Sequence, residues 1–359
     1  MKILHICNLT NSPFSGISVV VPQHIQAQSL ISDVFVWNLS GKKIDCSAKQ
    51  ICEQDFYSKS FDVVVFHGVY FVKYVKIGRY LKKKGVPYVV FPHGSLTKIS
   101  LAQKWLKKRI ANFFLFSRFV KDASAVQFLT PNEMDTSLYE TRGFVCGNGV
   151  AIPAIKKTWG EQDKYKKFVY IGRFDVFHKG LDLLLDAVNH EKDFLKREGF
   201  VLNLYGPNQK DVKQKCVDAH TVLKQMIQQR EIDSIVHIND AVYGEKKLET
   251  LLGNDVFIQT SRFEGLPLGI LEALSIGMPC LVTKGTNLAD QVNEYHAGWG
   301  VNTSSEEIAS AIKKAVSTQG SLDEKSKSAT RLVEDNYTWD KIARCAVDFY
   351  LKLIGSKVK

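Results

Sequence analysis

A chain of 359 residues exceeds the size of one ordinary hydrophobic core, so its length predicts two domains. Hydrophobic residues make up 45% of the chain and charged residues 24%, which is typical of a soluble globular enzyme, and the absence of any apolar run of about 18 residues argues against a transmembrane helix. The formal net charge is +11, and the seven cysteines are scattered without a CxxC pair. That cysteine pattern argues against a disulfide framework or a zinc site and favours reduced thiols in the cytoplasm.

The first half of the chain alternates short β-branched runs with amphipathic stretches. Its opening residues, MKILHICNLTNS, turn polar too early for a signal peptide and predict a first strand. Near-continuous apolar strands joined by helical crossovers are typical of a doubly wound parallel sheet. The pattern predicts strands at residues 2–6, 34–37, 62–66, 88–91 and 125–128, with helices at 71–84 and 101–122.

Residues 63–121, here called the basic span, contain no Asp or Glu. A surface of one sign attracts anions, which for this chain means nucleic acid, an anionic bilayer or a phosphorylated acceptor. The apolar run 110–116 would help a surface helix enter lipid, whereas the alternative is a solvated helix face beside a buried helix. The chain shows no RNA-binding signature, zinc knuckle or helix-turn-helix signal, so no nucleic acid partner is expected. The basic residues of the span are Lys73, Lys76, Arg79, Lys82, Lys83, Lys84, Lys98, Lys104, Lys107, Lys108, Arg109, Arg118 and Lys121.

One polar segment follows a buried strand of the first half. The stretch VPYVVFPHGSL places His93 and Gly94 at the carboxyl end of a predicted strand, the edge of a parallel sheet where ligands bind. His93 is therefore a candidate site residue, although a single histidine also fits a purely structural role.

The second half repeats the alternation after a break at residues 143–164, where glycines, a proline and a charged run interrupt the pattern. The predicted domains are residues 1–155, joined by a C-terminal helix at 340–359, and residues 156–339. Two Rossmann-like domains place their ligand between them, at the carboxyl ends of the strands. The second half predicts strands at 168–171, 201–205, 235–238, 256–259 and 280–283, with helices at 181–189, 209–230, 246–252 and 267–276.

A pair of cations marks the start of the first helix in the second half. In YIGRFDVFHKGLDLLLDA, a strand ends at Ile171, and Arg173 and Lys179 then flank a loop that opens a helix at Gly180. Two cations beside a helix start are suited to a diphosphate. The alternative is a solvated loop.

Two glutamates lie in an otherwise apolar stretch, SRFEGLPLGILEALSIGMPC. Glu264 precedes a predicted helix whose first position tolerates Pro267. Gly265 lets the backbone approach a ligand. Glu272 is expected about a turn and a half inside that helix, where a buried carboxylate needs hydrogen-bond donors. Ligand hydroxyls would serve, and so would a nearby Lys or Arg.

The pattern EGLPLGILEAL, with two glutamates eight residues apart, resembles the motif of retaining glycosyltransferases of the GT-B fold, and is most similar to glycosyltransferase family 4. The resemblance implies an α/β fold of two Rossmann-like doubly wound domains facing a central cleft, with the C-terminal helix crossing back to the first domain. It also implies a role for each candidate. Glu264 would contact donor-sugar hydroxyls, Glu272 would contact the ribose, and the amides of Gly265 and Leu266 would contact sugar and phosphate. Arg173 and Lys179 would bind the diphosphate. In the first domain, His93 would lie near the reacting carbon and Gly16 would approach the donor phosphate.

The reaction implied by this resemblance is retaining, metal-independent transfer of a sugar from a nucleotide-diphospho-sugar, with UDP expected as the nucleotide. The sequence has no Asp-x-Asp motif, so no metal and no other cofactor is expected, and it has no GxGxxG after the first strand, which argues against a nicotinamide enzyme. The expected acceptor is a glycan or a lipid-linked glycan of capsule, exopolysaccharide or lipopolysaccharide assembly. The expected location is the cytoplasm, with the basic first domain contacting the anionic inner membrane surface. The alternatives are a nucleotide-sugar epimerase of the same fold and a non-catalytic nucleotide-sugar or polyanion-binding protein.

Overall fold

The computed structural model describes residues 1–9, 16–96, 115–139, 141–160, 164–208, 218–318 and 322–355. The chain divides into two compact units. The first unit comprises Met1–Gly149 together with Tyr337–Lys359, and the second comprises Val150–Asn336.

Within the described residues, the first unit contains a seven-stranded parallel sheet in the order β3-β2-β1-β4-β5-β6-β7. The strands are β1 (Lys2–Cys7), β2 (Asp33–Asn38), β3 (Lys49–Gln50), β4 (Val63–His67), β5 (Tyr88–Phe91), β6 (Ala125–Phe128) and β7 (Gly143–Val145). The helices are α1 (Gly16–Ser29), α2 (Glu53–Ser58), α3 (Val72–Lys84), α4 (Ser117–Lys121), α5 (Pro131–Asp135) and, at the end of the chain, α14 (Trp339–Gly355).

The direction of winding reverses between β1 and β4, which are paired neighbours. The carboxyl ends of two strands at such a switch point form the usual ligand edge of an open α/β sheet. Every residue of β4 and of β5 is buried, as expected for parallel strands that are covered on both faces. This topology places His67, the last residue of β4, at the switch-point edge of the first sheet.

The C-terminal helix α14 belongs to the first unit, where it packs against α1. The unit boundary lies after Gly149, and a Cβ at that glycine would lie 2.5 Å from the Trp339 ring. Close packing of Gly149 on Trp339 therefore joins the two ends of this unit, and the predicted return of the C-terminal helix to the first domain is confirmed. The observed division lies six residues before the predicted boundary at 155.

In the described residues of the second unit, six parallel strands follow the order β10-β9-β8-β11-β12-β13, and the winding reverses between β8 and β11. The strands are β8 (Lys167–Ile171), β9 (Val201–Tyr205), β10 (Val236–Asn239), β11 (Val256–Gln259), β12 (Cys280–Thr283) and β13 (Gly298–Val301). The helices are α6 (Leu181–His190), α7 (Lys192–Glu198), α8 (Ala219–Gln229), α9 (Gly244–Leu252), α10 (Leu268–Ser275), α11 (Ala289–Glu294), α12 (Ser305–Val316) and α13 (Leu322–Asn336).

The predicted α/β class with two doubly wound sheets is confirmed, and each predicted strand is found within one residue of its expected bounds. The predicted break at 143–164 was wrong in part, because β7 begins at Gly143 and pairs with β6. A three-residue edge strand forms through backbone pairing and is too short to show a side-chain period. Only the last parts of the predicted helices 101–122 and 209–230 are described, and they form α4 and α8. Residues 97–114 and 209–217 lie outside the described residues.

Candidate active site

The candidate site is built from two loops of the second unit, residues 172–180 after β8 and residues 260–267 after β11. These two strands are paired neighbours on either side of the switch point. Their carboxyl ends lie side by side, so loops that are about 85 residues apart in the sequence meet at one edge of the sheet.

Polar contacts hold the two loops together. The Arg262 guanidinium donates from both terminal nitrogens to the Asp182 carboxylate, at 2.7 and 2.9 Å, which is a bidentate geometry. The amide of Arg262 donates to the carbonyl of His178 at 2.9 Å. The His178 ring in turn bonds through Nε2 to the carbonyl of Phe263 at 2.7 Å and stacks on the Phe263 ring. The loops therefore form one rigid support for the side chains that they carry.

Gly180 is the position where the loops approach most closely. Its backbone is left-handed, with φ +63°, and a Cβ built there would lie 2.0 Å from the carbonyl oxygen of Thr260. The hydroxyl of Thr260 also donates to the carbonyl of Gly180 at 2.9 Å. Only glycine meets both the backbone and the space requirement at the start of α6.

Lys179 and Glu264 form an ion pair at the point where the loops meet. Lys179 Nζ lies 2.5 Å from Glu264 Oε1, and the two side chains are only 14% and 13% exposed. Ser261 Oγ donates to the same Oε1 at 2.8 Å, and Gln259 Nε2 donates to it at 3.1 Å. None of the described residues donates to Glu264 Oε2, so this oxygen retains its capacity to accept a hydrogen bond.

The protonation state of Glu264 follows from these neighbours. Burial alone raises the pKa of the carboxyl group, but the Lys179 charge and the hydrogen bonds from Lys179 and Ser261 outweigh it. The net pKa lies below the ordinary value of 4.5, so Glu264 is an ionised acceptor at neutral pH.

The segment between Glu264 and α10 is held by Asn287. The Asn287 side-chain amide donates to the carbonyls of Glu264 and Gly265 at 2.7 and 2.8 Å. Pro267 is the N-cap of α10 and not its first helical residue as predicted, and no side chain caps this helix. An N-terminus without a side-chain cap keeps its amides and its positive dipole end for another acceptor.

Arg173 lies on the same loop as Lys179 but differs from it in exposure. Its side chain is exposed and makes no hydrogen bond or ion pair with the described residues, while its carbonyl accepts a hydrogen bond from the Tyr170 hydroxyl at 2.7 Å. The backbone of the loop is thus anchored at Arg173 and its guanidinium is directed to solvent.

Glu272 was expected to be buried, with either ligand hydroxyls or a nearby Lys or Arg as its donors, and it is only partly buried. The Glu272 side chain is 36% exposed and pairs with Lys247 of α9. This is the alternative in which a nearby lysine supplies the donor. The sequence pattern did not show the pair, because α9 and α10 are separate elements whose faces meet only in the tertiary structure. The ribose role of Glu272 stays a prediction.

His93 belongs to the first unit, where it follows β5 with a left-handed backbone at φ +50°. Its Nε2 lies 3.0 Å from His67 Nδ1, and its ring stacks on Phe91. The amide of the next residue, Gly94, donates to the buried carboxylate of Glu133 at 2.7 Å. A conformation that is uncommon for a histidine is therefore fixed from both sides.

The remaining predicted positions of the first unit are only partly described. Gly16 is exposed at the first residue of α1, and residues 10–15 of its loop lie outside the described residues. In the basic span, Lys82 pairs with Asp122 and Lys73 with Glu53, so part of its charge is neutralised locally. The basic residues that lie outside the described residues are Lys98, Lys104, Lys107, Lys108 and Arg109.

Among the described residues, no group of three or more His, Cys, Asp or Glu side chains is placed to hold a metal ion. No helix in the described part of the chain has the length and apolar character needed to cross a membrane.

Several supporting residues of the site were missed from the sequence, namely Gln259, Ser261, Arg262, His178 and Asn287. Gln259 and Ser261 had a usable signal, since they flank the carboxyl end of a predicted strand directly before Glu264. Asn287 had none, because its role depends on a left-handed turn after β12 that lies more than 20 residues from the motif.

Comparison with known proteins identifies relatives of the second unit. Residues 151–337, slightly more than half of the chain, match the family described as glycosyl transferases group 1. An uncharacterized glycosyltransferase of Methanocaldococcus jannaschii is 24% identical over 196 residues, which cover 54% of this chain and 47% of that protein. The match thus spans about half the length of this curated relative.

Solved structures match nearly the whole chain. Sucrose-phosphate synthase from Thermosynechococcus elongatus has a TM-score of 0.74 at 14% identity, covering 99% of this chain and 100% of that one. HepE of Anabaena in complex with UDP has a TM-score of 0.73 at 16% identity, covering 98% and 100%. WaaG, a glycosyltransferase involved in lipopolysaccharide biosynthesis, has a TM-score of 0.66 at 16% identity, covering 97% and 99%. At such identities the likeness concerns the fold, and it confirms the predicted GT-B class.

Proposed function

The chain belongs to the glycosyl transferases group 1 family, and we propose that it transfers a sugar from a nucleotide-diphospho-sugar to a hydroxyl group with retention of anomeric configuration. The donor is a UDP-sugar, and the acceptor is a glycan or lipid-linked glycan of cell-surface polysaccharide assembly. The reaction needs no metal or other cofactor.

The observation that carries this proposal is the half-satisfied Glu264 carboxylate. Three protein donors converge on Oε1, and none of the described residues donates to Oε2. The Glu264 side chain is ionised and largely buried, and an Oε2 with remaining acceptor capacity is suited to a donor-sugar hydroxyl, which supplies a further hydrogen bond. The amides of Gly265 and Leu266, directly before the α10 N-terminus, are the proposed contacts to sugar and phosphate.

The leaving nucleotide is the second requirement of the reaction. As the bond from the anomeric carbon to the diphosphate oxygen breaks, negative charge grows on that oxygen. Lys179 already lies at the site, and the exposed guanidinium of Arg173 is free of ion pairs with the described residues. Both cations are proposed to stabilise the developing charge. In a chain without Asp-x-Asp, they are the proposed substitute for a metal ion.

The remaining steps follow from retention. The acceptor oxygen forms its bond to the anomeric carbon on the face that the diphosphate leaves, and the acceptor proton passes to the departing phosphate oxygen. Glu264 and His93 are proposed to hold the sugar, His93 by a contact near the reacting carbon. Gly16 is proposed to approach the donor phosphate, and Glu272 to bind the ribose after leaving Lys247.

The nucleotide and the acceptor class are the finer parts of the proposal. The complex of HepE with UDP supports a uridine nucleotide, and the involvement of WaaG in lipopolysaccharide biosynthesis supports a cell-surface glycan. On α3, the side chains of Lys76, Arg79 and Lys83 are exposed without ion pairs to the described residues, which supports a peripheral contact with an anionic membrane surface on the cytoplasmic side.

A thermal-shift panel of nucleotides and nucleotide sugars, run with and without a chelator, tests the donor. We expect UDP-sugars to stabilise the protein equally in both conditions. Arg173→Ala should lower UDP-sugar affinity about tenfold without changing stability, because it removes one charge-assisted contact. Arg197→Ala, an exposed arginine on α7 of the same unit, is the matched control.

Three results would contradict the proposal. Stabilisation that requires a divalent cation would remove the metal-independent mechanism. Conversion of the nucleotide sugar to an epimer in the absence of any acceptor would identify an epimerase, and nucleotide-sugar binding without transfer to any glycan or lipid-linked acceptor would identify a binding protein.

A further inference from the structure

Three histidines of the first unit form a hydrogen-bonded line that ends at His93. His93 Nε2 lies 3.0 Å from His67 Nδ1, and His67 Nε2 lies 2.9 Å from His5 Nδ1. His5 Nε2 lies 3.2 Å from Oε1 of Gln28 on α1. Both nitrogens of His5 and of His67 are thus engaged, while the only ring nitrogen of the line without a partner among the described residues is His93 Nδ1.

The direction of the line is set by its Gln28 end. A neutral imidazole has one N–H donor and one bare acceptor nitrogen. Since Gln28 Oε1 can only accept, the proton of His5 must lie on Nε2, which leaves His5 Nδ1 to accept from His67 Nε2–H. His67 Nδ1 then accepts from His93 Nε2–H, so each ring of the line carries its proton on Nε2.

The Gln28 end of the line interacts with Tyr350 of the C-terminal helix. The Tyr350 hydroxyl donates to Gln127 Oε1 at 2.9 Å, and Gln127 Nε2 donates to the carbonyl of Cys146 at 3.1 Å. Burial raises the pKa of Tyr350 well above its ordinary value, whereas a hydrogen bond from Gln28 acts in the opposite direction. Gln28 itself directs Oε1 to His5 Nε2, so its amide oxygen is the group at the end of the line.

The rings of the line are neutral because they are desolvated. Burial lowers the pKa of His5 to about 3. Burial also lowers the pKa values of His67 and His93 well below 6.5, with a smaller contribution from neighbouring imidazoles. Stacking of His5 on His67 and of His67 on His93 fixes the ring planes. Each ring of the line is therefore neutral and held in a fixed plane.

We propose that Gln28, His5 and His67 are positioning residues that hold His93 in the Nε2–H tautomer, so that its Nδ1 presents a lone pair to a ligand hydroxyl. The contact between His93 Nδ1 and a donor sugar rests on the proposed function. The Nε2–H tautomer of His93 follows from the hydrogen bonds of the first unit alone. Which ring nitrogen carries the proton is decided by the bond that the other nitrogen makes, here through two further rings.

His5→Phe tests the direction of the line. The ring volume stays, but His67 Nε2–H would lose its acceptor, and a buried donor without a partner is costly. His67 should move its proton to Nδ1 and donate to His93 Nε2, so that His93 switches to the Nδ1–H tautomer. His5→Asn keeps an acceptor oxygen near the position of Nδ1 and should leave His93 in the Nε2–H form.

The measurement is two-bond ¹H–¹⁵N correlation spectroscopy of the full-length protein labelled with ¹⁵N-histidine, which separates protonated from bare ring nitrogens. His24→Phe is the matched control, because His24 is a buried ring of the same unit that bonds to Asn148 outside the line. Gln28→Met removes the terminal acceptor at nearly constant volume and should also invert His93, so the test does not depend on the folding of one variant.

Two results would overturn the inference: a wild-type His93 protonated on Nδ1, or a His93 that keeps Nε2–H in both His5→Phe and Gln28→Met. Transfer assays separate the inference from the proposed function. We expect kcat to fall about tenfold in His5→Phe, the loss of one neutral hydrogen bond, and to return within about twofold in His5→Asn. Inversion of the tautomer with an unchanged kcat would contradict the sugar contact of His93 and leave the positioning line in place.

Discussion

Lys179 and Glu264 are 85 residues apart in sequence and form an ion pair of 2.5 Å at the meeting point of two loops. The pair joins a predicted phosphate-binding cation to a predicted sugar-binding carboxylate. Because both members are largely buried, the pair also links the stability of the second unit to its chemistry.

Replacing Glu264 by Gln should lower both stability and transfer. Lys179 would keep its charge in a largely buried position without an ionised partner, and breaking a buried pair in this way costs about 3 kcal/mol. The charge of the proposed sugar acceptor would also be lost, so we expect transfer to fall at least about tenfold with the fold retained. Urea unfolding and a transfer assay measure the two effects.

The pair between Lys192 and Glu231 provides the control for this substitution. Glu231 is 80% exposed, so Glu231→Gln should change the free energy of unfolding by less than about 0.5 kcal/mol and leave transfer unchanged. Wild-type turnover by Glu264→Gln would remove Glu264 from the site.

Gly180→Ala should separate the two loops. The added Cβ would collide with the carbonyl of Thr260, and the alanine would have to adopt a left-handed backbone. We therefore expect the free energy of unfolding to fall by about 3 kcal/mol, with a large loss of donor affinity. Gly85 has a similar φ of +70°, with no atom within 4 Å of its added Cβ. Gly85→Ala should therefore cost only about 1 kcal/mol and leave donor affinity intact. Equal losses in the two variants would argue against close packing as the cause.

The stability of the first unit should depend on pH through its buried histidines. Burial lowers the pKa of His24 to about 4, while its hydrogen bond to Asn148 acts in the opposite direction. The unfolded chain binds this proton at about pH 6.5 and the folded chain only at about pH 4, so the contribution of His24 is complete above pH 6.5 and is lost as the pH falls towards 4.

This shift corresponds to roughly 3 kcal/mol at pH 4. His24→Phe should remove that part of the dependence, so the wild type should lose about 3 kcal/mol more than the variant between neutral pH and pH 4. Urea unfolding at a series of pH values measures the difference. Parallel pH profiles would show that His24 is protonated in the folded protein at its ordinary pKa.

Neutralising the exposed basic side chains of α3 should weaken binding to anionic vesicles. Each lysine or arginine near such a surface contributes about 1 kcal/mol, so the triple replacement of Lys76, Arg79 and Lys83 by Gln should lower partitioning about 100-fold at low salt. Sedimentation with vesicles that contain anionic lipid measures this. Replacement of three exposed lysines of the second unit, Lys224, Lys246 and Lys314, is the control, and an equal loss there would indicate a non-specific charge effect.

The partner of Glu272 gives a further contrast. If Glu272 exchanges Lys247 for the donor ribose, Glu272→Gln should weaken UDP binding about tenfold, as expected for one charge-assisted hydrogen bond. Lys247→Met removes the competing partner and should leave UDP affinity equal or higher. Calorimetric titration compares the two variants, and a loss in Lys247→Met as large as in Glu272→Gln would mean that the pair acts only to support α9 and α10.

The sequence by itself determined the α/β class, the two doubly wound sheets and the loops that carry Lys179 and Glu264. Apolar runs between helical periods can be buried only as parallel strands covered by helices. Candidates such as Lys179 and Glu264 follow strand ends, and the carboxyl ends of strands next to a switch point lie at one edge of the sheet. A local pattern is therefore sufficient to predict that these two residues lie close together.

Only the tertiary structure decided which side chains are partners. Glu272 faces Lys247, and His93 reaches Gln28 through His67 and His5, because packing brings together residues that are 23 to 62 positions apart in the sequence. No period or spacing encodes such contacts, since they depend on how side chains from several strands and helices fill the same space. The charge state of Glu264 and the tautomer of His93 depend on those contacts, so they became visible only in three dimensions.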